Sequence, residues 1–354
     1  MGHEAYLLKV SRVTREAEDA VSVCFDVPLE LRQAFSFMPG QHITLVHSIG
    51  GNILRRSYSI CAAPYEGLLK IASRKIPNGA FSTFLNEKLM VGDSLMAESP
   101  EGRFWIETHP DRARQCVFIA AGSGITPVLS NIKQLLYEEA NAKIQLFYGN
   151  RTTASILFLE ELMELKNRYH DRLSLHFILS KERLDEEIYN GRIDEDKLIL
   201  FANHFFLPSE VDAFFLCGPE AMILNLRQVL LSLDVSPAKI HVELFGVQLP
   251  QAKPADRKAS EGASNIGIRL DGRRFEFQLP YQEQSILDAA LNQGAGLPFA
   301  CKGGVCCTCK AKLLSGEVQM VRNFGLEPDE LKNGYVLTCQ SYPVTPNVEL
   351  SFDD

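Results

Sequence analysis

Apolar and polar residues alternate with a period of two in Val21-Ser22-Val23-Cys24-Phe25 and in Gln41-His42-Ile43-Thr44-Leu45-Val46. That period predicts half-buried strands. Turn residues separate the runs at Met38-Pro39-Gly40, Ile49-Gly50-Gly51-Asn52 and Val91-Gly92-Asp93, so residues 6–108 read as an antiparallel barrel or sandwich, a barrel domain over 1–110. The pattern then changes. Continuous apolar runs at 116–121, 144–148, 173–179 and 213–217 alternate with helix-period stretches at 127–139, 157–168 and 219–233. Strands without polar alternation are buried on both faces, which predicts an α/β domain with a parallel sheet over 111–247. Residues 248–264 carry Pro, Ala, Lys, Ser and Gly without an apolar period and read as a tether. The remainder, 265–354, opens with a hairpin (266–270 and 274–279 around Asp271-Gly272). A helix over 285–293 follows, with Ser285 as N-cap and Gly294 past its end. This last part reads as a small α+β domain.

Composition narrows the class. With 46% apolar and 23% charged residues in 354, each domain can bury a core. A formal net charge of −8 argues against a protein that coats nucleic acid or an anionic membrane. No apolar run approaches the ~20 residues of a membrane helix, and residues 1–6 lack a secretory layout. The expected location is cytoplasmic, where thiols stay reduced and clustered cysteines mean metal or chemistry rather than disulfides. Of nine cysteines, five fall between Cys301 and Cys339.

Their spacing, Cys301-x4-Cys306-x2-Cys309 with Cys339 further on, is the plant-type arrangement for a 2Fe–2S cluster. Two irons need four thiolates, and one tight loop can supply three of them. Gly303 and Gly304 let the backbone bend close to the sulfurs, where N–H groups can bond them. A zinc site is the alternative, but zinc usually takes two Cys-x2-Cys pairs or a Cys/His mixture. Cys307, between the ligands, could be a fifth ligand candidate or a redox thiol, and reads first as a small loop residue. The run from Phe299 to Cys309 and the segment Gly334-Tyr335-Val336-Leu337-Thr338-Cys339-Gln340 resemble the C-terminal ferredoxin domain of multidomain oxygenase reductases. That resemblance implies a β-grasp fold.

Two elements in the first domain suit a flavin. In Arg56-Ser57-Tyr58-Ser59 the Arg can clamp a pyrophosphate, Tyr58 shares its strand face and can stack on a ring, and Ser59 can bond a ring nitrogen. In Gly79-Ala80-Phe81-Ser82 a glycine turn leads into a helix whose free N–H groups can meet phosphate. Arg74, on the preceding strand, is a further contact candidate. The pair resembles the motifs of the ferredoxin–NADP reductase family, which implies FAD, with FMN as the shorter alternative.

The nucleotide reading rests on the strand ends of the middle domain. Gly122-Ser123-Gly124-Ile125-Thr126-Pro127 follows the strand at 116–121 and opens a helix, a place where backbone can approach a pyrophosphate. The generic dinucleotide fingerprint would have Gly where Pro127 stands; the variant matches the reductase family. In that family the segment Cys217-Gly218-Pro219 faces the nicotinamide, with the Cys near the hydride-carrying carbon, and the aromatic of His241-Val242-Glu243-Leu244-Phe245 lies near the flavin. Phe245 can equally cap the core. Arg151, Ser180 and Lys181 end two further strands and could hold a 2′-phosphate, which favours NADPH over NADH. Solvated surface charge is the plain alternative for Arg151 and Lys181.

A nicotinamide gives up two electrons as hydride, a 2Fe–2S cluster takes one at a time, and flavin can do both. The chain therefore reads as an NAD(P)H-dependent reductase that splits electron pairs and passes them to an oxygenase component. Tyr58, Ser59 and Cys217 are the expected catalytic groups. The segment Asn323-Phe324-Gly325-Leu326 through Gln340 adds a resemblance to the reductases of phenylacetyl-CoA epoxidases. Those of ketosteroid and aromatic-ring hydroxylases share the layout. A redox-sensing flavin and iron–sulfur binding module, and a zinc module fused to a flavin reductase, are the other readings.

Overall fold

The computed structural model describes residues 5–245, 262–281, 283–299 and 301–353. The tether expected at 248–264 lies outside the described residues as far as 261, as does Ala300 of the cysteine loop. The chain forms two compact units, one holding the barrel and the parallel sheet, the other the C-terminal residues.

The barrel consists of β1 (Ala5–Ala17), β2 (Ala20–Asp26), β3 (His42–Ile49), β4 (Asn52–Ser59), β5 (Leu69–Arg74) and β6 (Ser94–Glu98), in the order β4-β3-β6-β1-β2-β5. An isolated antiparallel bridge between Ile60, just past β4, and Ile71 of β5 joins the two edges, so the sheet curls into the expected barrel and has no long free edge. Inward positions such as Leu8, Val10, Val23, Ile43, Leu45 and Ile71 form its core. Helix α1 (Ala80–Glu87) closes one end with Phe81 and Leu85 buried.

The second sheet contains β7 (Gln115–Ala121), β8 (Lys143–Asn150), β9 (Leu173–Leu179), β10 (Ala213–Pro219) and β11 (Ile240–Phe245), all parallel, in the order β11-β10-β7-β8-β9. Helices α2 (Ile125–Glu138), α3 (Leu159–Arg168), α4 (Glu195–His204) and α5 (Glu220–Ser232) connect them. Helix α2 starts at Ile125, after a tight turn at Gly122–Gly124, so it begins before Pro127. Pro127 still falls in the first turn, where its missing N–H has no partner to lose. Helix α4 and strand β11 have no counterpart among the stretches assigned from periodicity.

The barrel and the sheet pack into one unit through the polar face of α2. Ser130 Oγ donates to Ala62 O (2.6 Å) and accepts from Gly40 N (3.2 Å), and Asn131 Nδ2 donates to Phe104 O (2.8 Å). Lys133, only 3% exposed, donates to Cys61 O (3.3 Å) and pairs with Glu66 (3.0 Å) and with Glu161 of α3. Lys70 of β5 completes the network with Glu161 (3.3 Å) and Glu16 (3.7 Å). Gly40 is obligatory at this joint. Its φ is +80°, and a Cβ there would stand 2.2 Å from Phe104 O.

The C-terminal unit is a mixed sheet of β12 (Ala263–Leu270), β13 (Arg273–Pro280), β14 (Lys310–Ser315), β16 (Tyr335–Leu337) and β18 (Asn347–Ser351), ordered β13-β12-β18-β14-β16. The small ladder β15 (Val318–Met320) with β17 (Ser341–Pro343), and helices α6 (Ile286–Asn292) and α7 (Pro328–Lys332), complete it. The sheet grips α6, whose Ile286, Leu287, Ala289 and Ala290 are buried, as in a β-grasp. Ser285 caps α6, accepting from Asp288 N at 3.2 Å. Strand β12 begins at Ala263, inside the stretch read as tether. Ser264 is fully buried and pairs with Leu279, so these residues are sheet despite their polar composition.

Candidate functional site

Strand ends place the predicted groups. Tyr58 and Ser59 end β4, with the Tyr58 ring 5.9 Å from that of Phe81 on α1. Arg56 lies two positions before Tyr58 on the same strand face and is exposed. Gly79 precedes α1, and a Cβ there would meet Ser82 Oγ at 2.6 Å. Ser82 Oγ itself accepts from Ile76 N (3.0 Å) and donates to Gly79 O (3.2 Å), and Gly79 N donates to Ile76 O (2.9 Å), so these bonds shape the turn that leads into α1. Arg74 is committed elsewhere. Its guanidinium donates to Ser155 O (2.5 Å) and lies 3.7 Å from Asp19, joining β5 to the turn after β8.

On the parallel sheet, the Gly122–Gly124 turn and the Cys217-Gly218 segment meet backbone to backbone. A Cβ on Gly124 would stand 2.3 Å from Cys217 O, and Gly122 has φ +55°. Ser123 is held in this turn because its carbonyl accepts from Thr126 Oγ1 (3.0 Å), and Thr126 is buried. Tyr148 OH donates to Gly122 O (2.8 Å), fixing the turn from below. Pro219 pairs in register with Phe245, which packs on the edge of the core. At the ends of β8 and β9 the ladder runs on, with Ser180 N donating to Asn150 O (3.0 Å) and Lys181 N to Arg151 O (2.8 Å). This sets Arg151 and Lys181 side by side and exposed. The neighbouring Glu182 is drawn to Thr153, accepting from its N–H (2.7 Å) and hydroxyl (2.8 Å).

One candidate group has no signal in the sequence. Glu243 on β11 is the register partner of Cys217 on β10. It accepts a hydrogen bond from Ser59 of the barrel, and burial pushes its carboxyl up to about 8. Its Oε2 is enclosed without a partner among the described residues. The Cys217 thiol is fully buried, and burial, then the nearby Glu243, holds it well above its usual range, so it stays a neutral thiol. Ser59, Cys217 and Glu243 thus meet where barrel and parallel sheet adjoin, at the carboxyl end of the strands, where open α/β sheets bind ligands. A carboxyl that titrates near neutrality beside a neutral thiol and a hydroxyl can bond and protonate a heterocycle. The orphaned Oε2 and the cradle of bare backbone at Gly122–Gly124 fit a flavin and a pyridine nucleotide.

In the C-terminal unit the thiols fall into two contacting pairs, Cys301 with Cys306 and Cys309 with Cys339. Backbone N–H groups already point at sulfur: Gly303 N and Cys306 N reach Cys301 Sγ (3.2 and 3.4 Å), and Cys301 N reaches Cys306 Sγ (3.4 Å). The Cys301 thiol is held below its usual range, by the Cys306 thiol first and then by backbone N–H groups of the loop. Among the described residues no three Cys, His, Asp or Glu converge on one metal-sized point. Two pairs suit two irons better than one tetrahedral ion. Gln340 clamps the loop by donating to Lys302 O (2.8 Å), and Lys302 and Cys307 take left-handed φ of +51° and +57°.

The chain matches three families in order: the oxidoreductase FAD-binding domain over residues 7–106, the oxidoreductase NAD-binding domain over 118–228 and the 2Fe–2S iron–sulfur cluster binding domain over 268–344. It is 42% identical over 346 residues to a 1,2-phenylacetyl-CoA epoxidase subunit of Escherichia coli (strain K12), covering 98% of this chain and 97% of that one. The chain belongs to the oxygenase-reductase family. It is an oxidoreductase with FAD, pyridine-nucleotide and 2Fe–2S domains, the reductase component of an oxygenase system. The ferredoxin reductase component of 3-ketosteroid-9-alpha-monooxygenase from Rhodococcus rhodochrous is 31% identical over 99% of this chain and 98% of its own. The fold is that of phthalate dioxygenase reductase, with a TM-score of 0.61, 24% identity and 98% of both chains covered. No helix among the described residues is long and apolar enough to cross a membrane.

Proposed function

We propose that this chain oxidises NADPH and feeds electrons singly to the oxygenase component of a phenylacetyl-CoA epoxidase in the cytoplasm. The observation that carries the acceptor is the end-to-end identity of 42% with the Escherichia coli epoxidase polypeptide. The paired, exposed Arg151 and Lys181 support NADPH. Glu182, which follows Lys181 in the chain, is bound to Thr153, and in this reading the two cations meet a 2′-phosphate.

Bound flavin supplies the exchange between hydride and single electrons, and the cluster carries them singly. The work of the chain is positional. In this reading Arg56 and the turn at Gly79–Ser82 take the flavin pyrophosphate, and Tyr58 stacks on the ring. Gly122, Ser123 and Gly124 present backbone to the nucleotide pyrophosphate, while Gly218 and Pro219 border the nicotinamide. Cys217, kept neutral, packs against that ring without adding charge, and Phe245 shields it from water. Ser59 and Glu243 hold a proton near the flavin edge. Cys301, Cys306, Cys309 and Cys339 ligate the cluster. The domain limits follow at 1–110, 111–247 and 265–354.

Reconstitution with purified oxygenase components tests the reading. Oxygen uptake dependent on phenylacetyl-CoA and faster with NADPH than with NADH is expected. Uptake only with a ketosteroid hydroxylase, or equal use of NADH, contradicts it. Lys181→Ala then weakens NADPH and leaves NADH unchanged.

A further inference from the structure

Helix α2 touches both halves of the site. At its amino end the Gly122–Gly124 turn lies against the sheet half, where a Cβ on Gly124 would stand 2.3 Å from Cys217 O. Along its flank Ser130, Lys133 and Tyr137 stand at i, i+3 and i+7 and so share one face. All three meet one short barrel segment, 61–66. Ser130 Oγ donates to Ala62 O (2.6 Å), Lys133 Nζ donates to Cys61 O (3.3 Å) and pairs with Glu66 (3.0 Å), and the Tyr137 ring stacks on Tyr65 with centroids 4.1 Å apart. That segment runs on from Ser59, the barrel hydroxyl bonded to Glu243. Ser130 also accepts from Gly40 N (3.2 Å), and Gln41 O accepts from Ile60 N (2.8 Å), so the turn at Gly40 and the chain behind Ser59 are tied under one hydroxyl.

Apolar contact alone would let a helix slide along such a surface. Here the contacts are directional and shut off from water, with Ser130 fully buried and Lys133 3% exposed. A shift along the joint would leave a buried carbonyl or ammonium without a partner, which is costly. The barrel therefore accepts α2 at one register.

We propose that Ser130 and Lys133 are positioning residues for hydride transfer, fixing the separation between the nucleotide turn at the start of α2 and the flavin side of the site at Ser59. The inference rests on the nucleotide and flavin reading given above. The transfer moves two electrons and one proton together from the dihydropyridine ring to the flavin, breaking one C–H bond and forming one N–H bond. It needs the reacting atoms about 3–3.5 Å apart, and a displacement of about 1 Å can cost about a hundredfold in rate. Ser130 lies about 9 Å along the helix from Gly124, so a tilt at the joint is carried through α2 to the nucleotide turn. Both residues act through the helix rather than on the reacting atoms.

Anaerobic stopped-flow of the full-length holoprotein with saturating NADPH or NADH tests this in the wild type, Ser130→Ala, Lys133→Met and Lys133→Arg. Flavin bleaching and the long-wavelength charge-transfer absorption of stacked nicotinamide and flavin are followed together, with melting temperature and flavin content measured alongside. Ser130→Ala and Lys133→Met are expected to keep their flavin and their half-saturation by nucleotide, to bleach about tenfold to a hundredfold more slowly, and to lose most of the charge-transfer band. Lys133→Arg keeps a donor and a charge and is expected to restore both rate and band. In the apoproteins, hydrogen exchange should quicken across 59–66 in Ser130→Ala and Lys133→Met alone. A lowered melting temperature with unchanged bleaching and band overturns the proposal, because the two residues would then only stabilise the fold. So does a loss in Lys133→Arg equal to that in Lys133→Met. A wild type whose flavin neither nucleotide bleaches overturns the nucleotide and flavin reading itself, and the proposal with it.

Discussion

Replacing Glu243 by Gln isolates the proton that the site holds. The carboxyl titrates at about 8 in the fold against an ordinary 4.5, chiefly because it is buried. The folded chain therefore binds this proton more tightly than the unfolded chain does. The stabilisation is complete below the ordinary value and is lost as the pH rises from 4.5 to about 8. Each tenfold change in proton affinity is worth about 1.4 kcal/mol, so a wholly enclosed carboxyl would forfeit roughly 5 kcal/mol. Solvent reaches part of the residue although Oε2 is enclosed, and that screening lowers the expected figure to about 2–3 kcal/mol. Gln keeps a carbonyl to accept from Ser59 and cannot ionise. Urea unfolding of the full-length apoprotein should find the two proteins alike near about pH 4 and Glu243→Gln the more stable by about 2–3 kcal/mol near about pH 9. Parallel pH profiles would refute the buried, proton-holding carboxyl.

Other outcomes follow from the same geometry. Cys306→Ser should leave reduction of the flavin by nucleotide intact and abolish onward transfer to a one-electron acceptor, read by stopped-flow absorbance. Gly124→Ala drives a methyl against the Cys217 carbonyl, 2.3 Å away as built. It should raise the KM for nucleotide steeply while flavin content holds, as measured by steady-state kinetics with flavin quantitation. Lys133→Met strands Glu66 and leaves Glu161 with Lys70 alone. Removing one partner of a fully buried pair costs about 3–5 kcal/mol; Glu66 and Glu161 keep 23% and 28% exposure, so calorimetry should show a smaller loss of about 1–3 kcal/mol in the barrel-and-sheet unit.

Periodicity is a sound guide where burial is one-sided or complete. The alternating strands of the barrel and the continuous strands at 116–121 and 173–179 stand where the pattern puts them, but the barrel runs expected to be half-buried are covered on both faces, with Ser22, Cys24, His42 and Thr44 buried too. It misleads where polar groups are buried by a partner domain. Ser130, Asn131 and Lys133 look like the wet face of an amphipathic helix, yet all three are buried because barrel carbonyls and Glu66 receive them. Helix α4 is short, but its signal is present. Asp194 caps it by accepting from Lys197 N (2.9 Å), and Leu198, Phe201 and Ala202 follow at helical spacing. The candidate cysteine ligands are legible because four thiols at fixed spacing have few other uses. Glu243 is not. A lone carboxylate in a strand has no local pattern, and its role arises only from the register that sets β11 beside β10 and from Ser59 across the joint.

Anaerobic stopped-flow reduction of the purified holoprotein by NADPH, with flavin and cluster absorbance followed separately and iron quantified, tests the central claim most directly. The account predicts two irons per chain and flavin bleaching that precedes cluster bleaching. A chain that carries zinc or no iron, or a cluster reduced before the flavin, would contradict it.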